Sequence, residues 1–257
     1  MKMSKTLTIA QIKKRLAEIP TEEEVAIFQQ DERKGVQQAL KSYFNRLAKD
    51  EERRLKHEEM LTYERQYLAE GFHYVAGIDE VGRGPLAGPV IAAAVILPPD
   101  VNLLGLNDSK QLSEQKRKTL LAAIKEQAIS IGIGVVEADE IDRINIYQAS
   151  KVAMAKAVEN LKRQPDCLLI DAMTIEQLPI RQEAIIKGDQ KSLSIAAASV
   201  VAKEYRDDLM RQYGQAYPGY DFEHNVGYGT RHHLEGIEKY GITPIHRRTF
   251  APIKNMI

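Results

Sequence analysis

Short apolar runs that alternate with longer amphipathic stretches constrain the fold of this chain more than any other feature. From residue 73 onward, runs rich in β-branched residues are bounded by Gly and Pro, which is typical of strands. We predict strands over 75–81, 90–97, 129–136, 167–170 and 184–186, and helices over 113–127, 147–163 and 192–213. Three strands followed by alternating helices and strands indicate an α/β domain with a central mixed β-sheet flanked by helices.

The first 70 residues differ from the rest in charge density. They contain 14 Lys/Arg and 13 Asp/Glu, and apolar residues recur at helical spacing between Val36 and Leu47. Thr21 followed by Glu24 resembles a capping box that opens a short helix. We therefore predict a helical N-terminal extension over 1–70 and a main domain over 71–257.

The overall charge excludes a globally basic nucleic-acid binder but not a local basic patch. The chain has 36 Lys/Arg and 36 Asp/Glu, so its formal net charge is zero. The last stretch, 224–257, holds five Lys/Arg against two Asp/Glu and four of the six histidines, and it forms a helical C-terminal region with a predicted basic patch. A single cysteine excludes an intramolecular disulfide and a multi-thiolate zinc site, and we expect Cys167 to be a buried apolar residue.

No apolar stretch approaches the ~18 residues that a membrane-spanning helix needs. The N-terminus also lacks the uninterrupted apolar segment of a secretory signal. We therefore expect a cytoplasmic protein that does not insert into a membrane.

Four acidic residues lie at or near the ends of predicted strands. Asp79 and Glu80 lie inside an apolar run, where a charged carboxylate costs several kcal/mol, on the order of 3–5, unless it is paired or bound to a metal. Asp171 directly follows the apolar run 168–170, and Asp189 lies just before the helix that starts near 192. Neighbouring residues on a strand point to opposite faces, so Asp79 and Glu80 can share a cation only near a strand end or a bulge.

Carboxylate oxygens with no clustered His or Cys beside them suit Mg²⁺ or Mn²⁺ rather than zinc. Two such ions, ~3.5–4 Å apart, would suit in-line phosphoryl transfer. Asp189 taken alone could equally be a residue that favours the start of a helix. Asp139, Glu140 and Asp142 lie in a polar stretch that opens a helix, and we expect them to be solvated residues of its first turn.

Three further features are candidates for substrate binding. Gly82-Arg83-Gly84 is either a plain tight turn or a segment whose backbone amides approach a sugar-phosphate. Lys110, in the turn 107–110, is a candidate phosphate contact. Tyr228, between two glycines, either stacks on a sugar or base or anchors a loop to the core.

Five ordered motifs resemble the type 2 ribonucleases H, specifically the bacterial ribonuclease HII family. They are the segment from Gly77 to Val90, Asn107-Asp108-Ser109-Lys110, Leu169-Ile170-Asp171, Lys187-Gly188-Asp189, and His246-Arg247-Arg248-Thr249-Phe250. The related ribonuclease HIII family usually has Gly-Thr-Gly where this chain has Gly82-Arg83-Gly84, so Arg83 favours the HII family. The segment 224–229 is one residue longer than the family's pattern around its tyrosine.

The resemblance implies an RNase H-like fold for 71–257 and a metal-dependent endonuclease. Its substrates would be RNA–DNA hybrids and duplex DNA with embedded ribonucleotides, its cofactors two Mg²⁺ or Mn²⁺ ions, and its products a 5′-phosphate and a 3′-hydroxyl. The family's catalytic acids fall on Asp79, Glu80, Asp171 and Asp189. Its substrate-binding residues fall on Gly82, Arg83, Gly84 and Tyr228.

We further expect a monomer that acts in ribonucleotide removal and in RNA primer processing during replication and repair. Two alternatives stay open at this point. One is a nuclease of the wider RNase H-like superfamily that cuts all-DNA substrates, and the other is an RNA-binding module without catalysis.

Overall fold

The computed structural model describes residues 7–256 of the chain. It divides the chain into two compact units, Met1–Lys56 and His57–Ile257. Among the described residues, no helix is both long enough and apolar enough to cross a membrane. The predicted boundary at residue 70 remains a prediction, although residues 57–71 pack within the second unit: Tyr67 donates a hydrogen bond to Glu183, and Glu64 accepts two from Ser194.

The first unit is helical, as its amphipathic spacing predicts. Its helices are α1 (Ile9–Ala17), α2 (Glu22–Gln29) and the first part of α3 (Lys34–Met60). The capping box of Thr21 and Glu24 is confirmed, and Thr8 with Gln11 forms a second one. The apolar faces meet in a small core of buried residues, namely Ile12, Leu16, Phe28, Val36 and Leu40.

The second unit is an α/β domain around a mixed sheet, which confirms the predicted fold class. Its strands are β1 (Val75–Val81), β2 (Val90–Ile96), β3 (Ser130–Val136), β4 (Cys167–Asp171) and β5 (Arg181–Ile185). Its helices after α3 are α4 (Thr62–Ala69), α5 (Glu114–Gln127), α6 (Ala138–Ile144), α7 (Ile146–Glu159), α8 (Leu193–Ala216), α9 (Phe222–Asn225) and α10 (Arg231–Tyr240). Within the described residues the sheet order is β3-β2-β1-β4-β5.

The sheet pairs β1 with β2 and β2 with β3 in antiparallel fashion, and β1 with β4 and β4 with β5 in parallel fashion. Four strands lie within one residue of their predicted bounds. β5 was predicted over 184–186 but covers Arg181–Ile185, because Arg181, Gln182 and Glu183 are polar residues on an edge strand that pairs with β4 alone. Helix α7 also ends at Glu159 rather than at residue 163.

Helix α8 packs closely on β1, because Gly77 leaves no side chain between them. A Cβ atom at Gly77 would lie 2.1 Å from the backbone carbon of Ser194, well inside van der Waals contact. Helix α7 covers the opposite face in the same way, since a Cβ at Gly134 would lie 1.9 Å from the carbonyl oxygen of Ala153. The sheet is thus sandwiched between α7 and α8, and its central strand is buried on both faces.

We predict that Gly77→Ala lowers the free energy of unfolding by about 3 kcal/mol, because the added methyl group pushes α8 away from β1. Urea denaturation of the two proteins measures this difference. Gly35→Ala is the matched control: its Cβ would meet the flexible end of the Ile9 side chain, and Ala suits a helix better than Gly. A Gly77→Ala protein as stable as wild type would contradict this account of the packing.

Candidate active site

Asp79 and Asp171 lie side by side at one edge of the sheet because β1 and β4 run parallel. The register pairs Ile78 with Ile170, so the next residue on each strand is one of the two acids. Side chains alternate between the faces of a strand, and Asp79 therefore points to the same face as Gly77, the face that α8 covers. A hydrogen bond between Asp79 and Ser199 of α8 agrees with this direction.

Glu80 reaches the same edge although it starts from the opposite face of β1. It is the penultimate residue of the strand, where the pairing with β4 has already ended. Its Oε1 lies 3.2 Å from Nη1 of Arg83, whereas its Oε2 is buried and has no hydrogen-bond partner among residues 7–256. A carboxylate oxygen that is buried and unpartnered fits a cation ligand.

The carboxylates repel one another in this arrangement. Burial, followed by the charges of Glu80 and Asp171, raises the pKa of Asp79 well above its ordinary value. Burial also raises the pKa of Glu80, although Arg83 opposes the shift. Bound divalent ions would neutralise these negative charges. Mg²⁺ and Mn²⁺ prefer oxygen ligands, so the four carboxylates fit either ion.

Asp189 joins the group through a short 3-10 helix, Gly188–Gln190. The Gly188 amide donates to Oδ1 of Asp171 at 2.8 Å, which ties the two segments together. Burial and the nearby Asp108 and Asp171 carboxylates raise the pKa of Asp189 to about 6. The four predicted acids therefore share one edge of the sheet.

Their spacing is open rather than closed around a single ion. No three of the four acids have donor atoms all within 4.8 Å of one another; within residues 7–256 that criterion selects Asp221, Glu223 and His224 instead. These three side chains lie at the surface, in and before α9, and the hydrogen bond between Asp221 and His224 raises the pKa of the latter.

Asp108 is a site residue that the sequence analysis missed. Its carboxyl group lies close enough to Asp189 to raise the pKa of Asp189, and it is buried like Asp189. The sequence shows Asp108 only as a turn residue, and it does cap the 3-10 helix Ser109–Gln111. Its proximity to Asp189 arises because Ser109 contacts Ser199 of α8, with 2.9 Å between the two hydroxyl oxygens.

The predicted substrate-binding residues line the same edge. Gly82 has φ +91°, which favours glycine, and the turn brings Gly84 against the ring of Tyr228: a Cβ at Gly84 would lie 3.4 Å from its Cε1. The Tyr228 side chain is 51% exposed and so available to a ligand. Lys110 is exposed, and its charge lowers the pKa of Asp189, which places it beside the acids.

The predicted basic patch in 224–257 is only partly a surface feature. Arg247 is fully buried, and so are His233 and His246, whose Nε2 atoms lie 3.0 Å apart. Asp142 was predicted to be a solvated residue of a helix start; it is partly exposed, and it also accepts hydrogen bonds from the amides of Arg248 and Thr249. The surface prediction was wrong for Arg247 because its partners come from a segment about 160 residues away, whereas His233 and His246 are buried through contacts within the same stretch of chain.

Cys167 is buried in the core, as predicted, and burial raises the pKa of its thiol to about 12. A thiol with such a pKa is not a nucleophile at neutral pH.

We predict that Asp189→Asn stabilises the metal-free protein at pH 7 by about 1–2 kcal/mol. The pKa of Asp189 is about 6 in the folded state and ordinary in the unfolded chain. The stability linked to this group is therefore complete below about pH 4 and is lost as the pH rises through 6.

Urea unfolding in EDTA between pH 4 and 8 measures the difference, which should grow up to about pH 6 and then level off. Asp139→Asn, at an exposed acid of α6, serves as control. Parallel curves for wild type and Asp189→Asn over the whole range would refute the prediction.

Comparison with known proteins identifies the family of both parts of the chain. The model of the family "Ribonuclease HII" matches residues 76–253, and that of the "Ribonuclease HII N-terminal domain" matches residues 8–68. A ribonuclease HII of Enterococcus faecalis is 58% identical over 238 residues, which are 92% of each chain. Both parts of the chain, the helical first part and the α/β domain, therefore have counterparts in the same family.

Solved structures share the fold at low sequence identity. The crystal structure of ribonuclease H2 from Pyrococcus horikoshii covers 72% of this chain and 97% of its own, with a TM-score of 0.61 and 24% identity. Bst-RNase HIII in complex with Mn²⁺ covers 70% of this chain and 68% of its own, with a TM-score of 0.56 and 22% identity. These likenesses establish the RNase H-like fold, and the sequence matches establish more: the chain belongs to the ribonuclease HII family and is a metal-dependent ribonuclease.

Proposed function

We propose that this protein is an endonuclease that hydrolyses the RNA strand of RNA–DNA hybrids and cuts on the 5′ side of ribonucleotides embedded in duplex DNA. The observation that carries the proposal is the meeting of four carboxylates, from three segments, with a glycine turn and an exposed tyrosine. The acids suit phosphodiester hydrolysis, and the turn with the tyrosine suits recognition of a ribose. Membership of the ribonuclease HII family supports both parts.

Asp79, Glu80, Asp171 and Asp189 would hold two Mg²⁺ or Mn²⁺ ions. When bound, such ions activate a water molecule and stabilise the leaving 3′-oxygen, so that the products carry a 5′-phosphate and a 3′-hydroxyl. The chain's own contribution is to orient the acids: the Gly188 amide donates to Asp171, and Ser199 of α8 lies beside Asp79. Their proximity in a buried edge costs stability in the metal-free protein and favours the ion-bound state.

Selectivity for a ribonucleotide would come from the turn and the tyrosine together. The Gly82-Arg83-Gly84 backbone has no side chain at two of its three positions, so a sugar can approach it closely. Tyr228 lies against Gly84 and can stack on the next sugar or base. Arg83 pairs with Glu80 in this structure and would contact a phosphate after leaving that pair. Lys110 adds positive charge beside Asp189.

The proposal extends to the cellular setting. A monomer in the cytoplasm would remove ribonucleotides from DNA and process RNA primers during replication and repair. Size-exclusion chromatography with light scattering tests the monomer, since a dimer mass at micromolar concentration would contradict it.

We predict that Asp79→Asn and Asp171→Asn each lower kcat at least about 100-fold on a duplex with one ribonucleotide, because each removes a charged oxygen ligand. Single-turnover cleavage in Mg²⁺ and in Mn²⁺ provides the measurement. Asp139→Asn keeps the same chemical change away from the site and should cleave like wild type. Near wild-type cleavage by Asp79→Asn would end the proposal, and equal cleavage of an all-DNA duplex by wild type would instead favour a DNA nuclease.

We predict that Tyr228→Ala lowers kcat/KM at a lone ribonucleotide about 10-fold or more, since a stacking contact contributes ~1–3 kcal/mol. Affinity for plain duplex DNA should change little. Tyr228→Phe keeps the ring and should retain most of the activity, and Tyr147→Ala, at a half-exposed tyrosine of α7, is the control. Equal losses on both substrates would show that Tyr228 is no part of ribonucleotide recognition.

A further inference from the structure

A buried arginine lies directly behind the glycine turn. Arg247 is 0% exposed, although arginine is among the residues least often found in a protein interior. Its Nη2 donates to the carbonyl oxygen of Gly82 at 2.5 Å, and its Nη1 donates to that of Arg83 at 3.0 Å. Its Nε and Nη2 both donate to the carbonyl oxygen of Gly88, at 3.0 and 2.8 Å. One guanidinium thus connects the turn Gly82-Arg83-Gly84 with Gly88, which lies just before β2.

This guanidinium has no carboxylate within ion-pair distance among the residues that the structure describes. Burial and the nearby charge of Arg206 lower the pKa of Arg247 to about 9, and Asp142 offsets this only in part. An unpaired buried charge is costly. The partners of this charge are instead the three carbonyl groups and the Phe250 ring, whose centre lies 5.0 Å from Cζ.

The geometry of the peptide bond gives the arginine a second effect. In a trans peptide the carbonyl and the following N–H point in opposite directions, and the cis bond of the described chain lies elsewhere, before Pro252. The Gly82 and Arg83 carbonyls point at Arg247, so the amides of Arg83 and Gly84 point away from it. Within residues 7–256 these two amides donate to no protein acceptor. Gly84 also faces Tyr228, since a Cβ built on it would lie 3.4 Å from Cε1 of the ring.

We propose that Arg247 is a positioning residue for ribonucleotide recognition: it holds the Gly82 and Arg83 carbonyls inward so that the Arg83 and Gly84 amides face the substrate. The acceptors that suit this amide pair are the 2′-hydroxyl of a ribose and the phosphate next to it. Arg247 itself touches no substrate. The inference rests on the proposed function and adds to it the side chain that orients the recognising backbone.

Lysine keeps the charge at position 247 but cannot span three carbonyls with a planar fork. The test compares wild type with Arg247→Lys in binding to two duplexes that differ in one 2′-hydroxyl, in Ca²⁺ under conditions in which a gel shows no cleavage. We expect wild type to prefer the ribonucleotide duplex by about 10-fold and Arg247→Lys to lose that preference to within about twofold. Affinity for the all-DNA duplex should stay within about twofold of wild type.

Arg248→Lys is the matched control, because it makes the same substitution at the next residue, which is exposed. It should keep the wild-type preference. A merely structural role for Arg247 would weaken binding to both duplexes alike, and that result overturns the inference, as does an unchanged preference in Arg247→Lys. Thermal unfolding of each variant shows whether it is folded at the assay temperature.

If Arg247→Lys does not fold, Arg247→Gln takes its place, and wild type provides an independent measurement. The ¹⁵N–¹H resonances of Arg83 and Gly84 should shift on adding the ribonucleotide duplex but not the all-DNA duplex. Identical shifts with the two duplexes overturn the inference. A wild-type protein that cleaves neither hybrid nor ribonucleotide duplex in Mg²⁺ refutes the proposed function instead, so the two failures are distinguishable.

Discussion

The parallel pairing of β1 with β4 is the interaction on which the site depends. Because Ile78 pairs with Ile170, the acids that follow them emerge at the same edge and, by alternation, on the face that α8 covers. Close contact between α8 and Gly77 then sets the position of Ser199 beside Asp79. A shift of one residue in this register would carry one of the two acids to the other face of the sheet.

Buried charged side chains, which lower the stability of the folded protein, occur on both sides of the site. Burial and the neighbouring carboxylates raise the pKa of Asp79 at the sheet edge, and Arg247 lies in the interior with backbone carbonyl groups and the Phe250 ring as partners. Arg206 is buried as well, and it donates to the carbonyl oxygens of Ala87, Pro89 and Val226. The two arginines connect the segment after β1 with the segment that carries Tyr228, so both parts of the proposed substrate-binding surface are held by buried guanidinium groups.

Local sequence signals were enough to predict the elements that depend only on neighbouring residues. β1 could be predicted to the residue, because an apolar β-branched run ends there in glycine, and the capping box at Thr21 could be read from two residues. β5 could not be located as well, since an edge strand with polar residues lacks the apolar pattern. Asp108 was overlooked because its turn chemistry explained it without any reference to Asp189.

The sequence by itself determined the α/β class, the helical first part and the four acids, because apolar periodicity and acids at strand ends are written into consecutive residues. Only the tertiary structure decided which side chains face the interior. Arg247 and Arg248 are adjacent and chemically identical, yet one is buried under the glycine turn and the other is exposed. That difference depends on carbonyl groups about 160 residues away, whose position no local pattern contains.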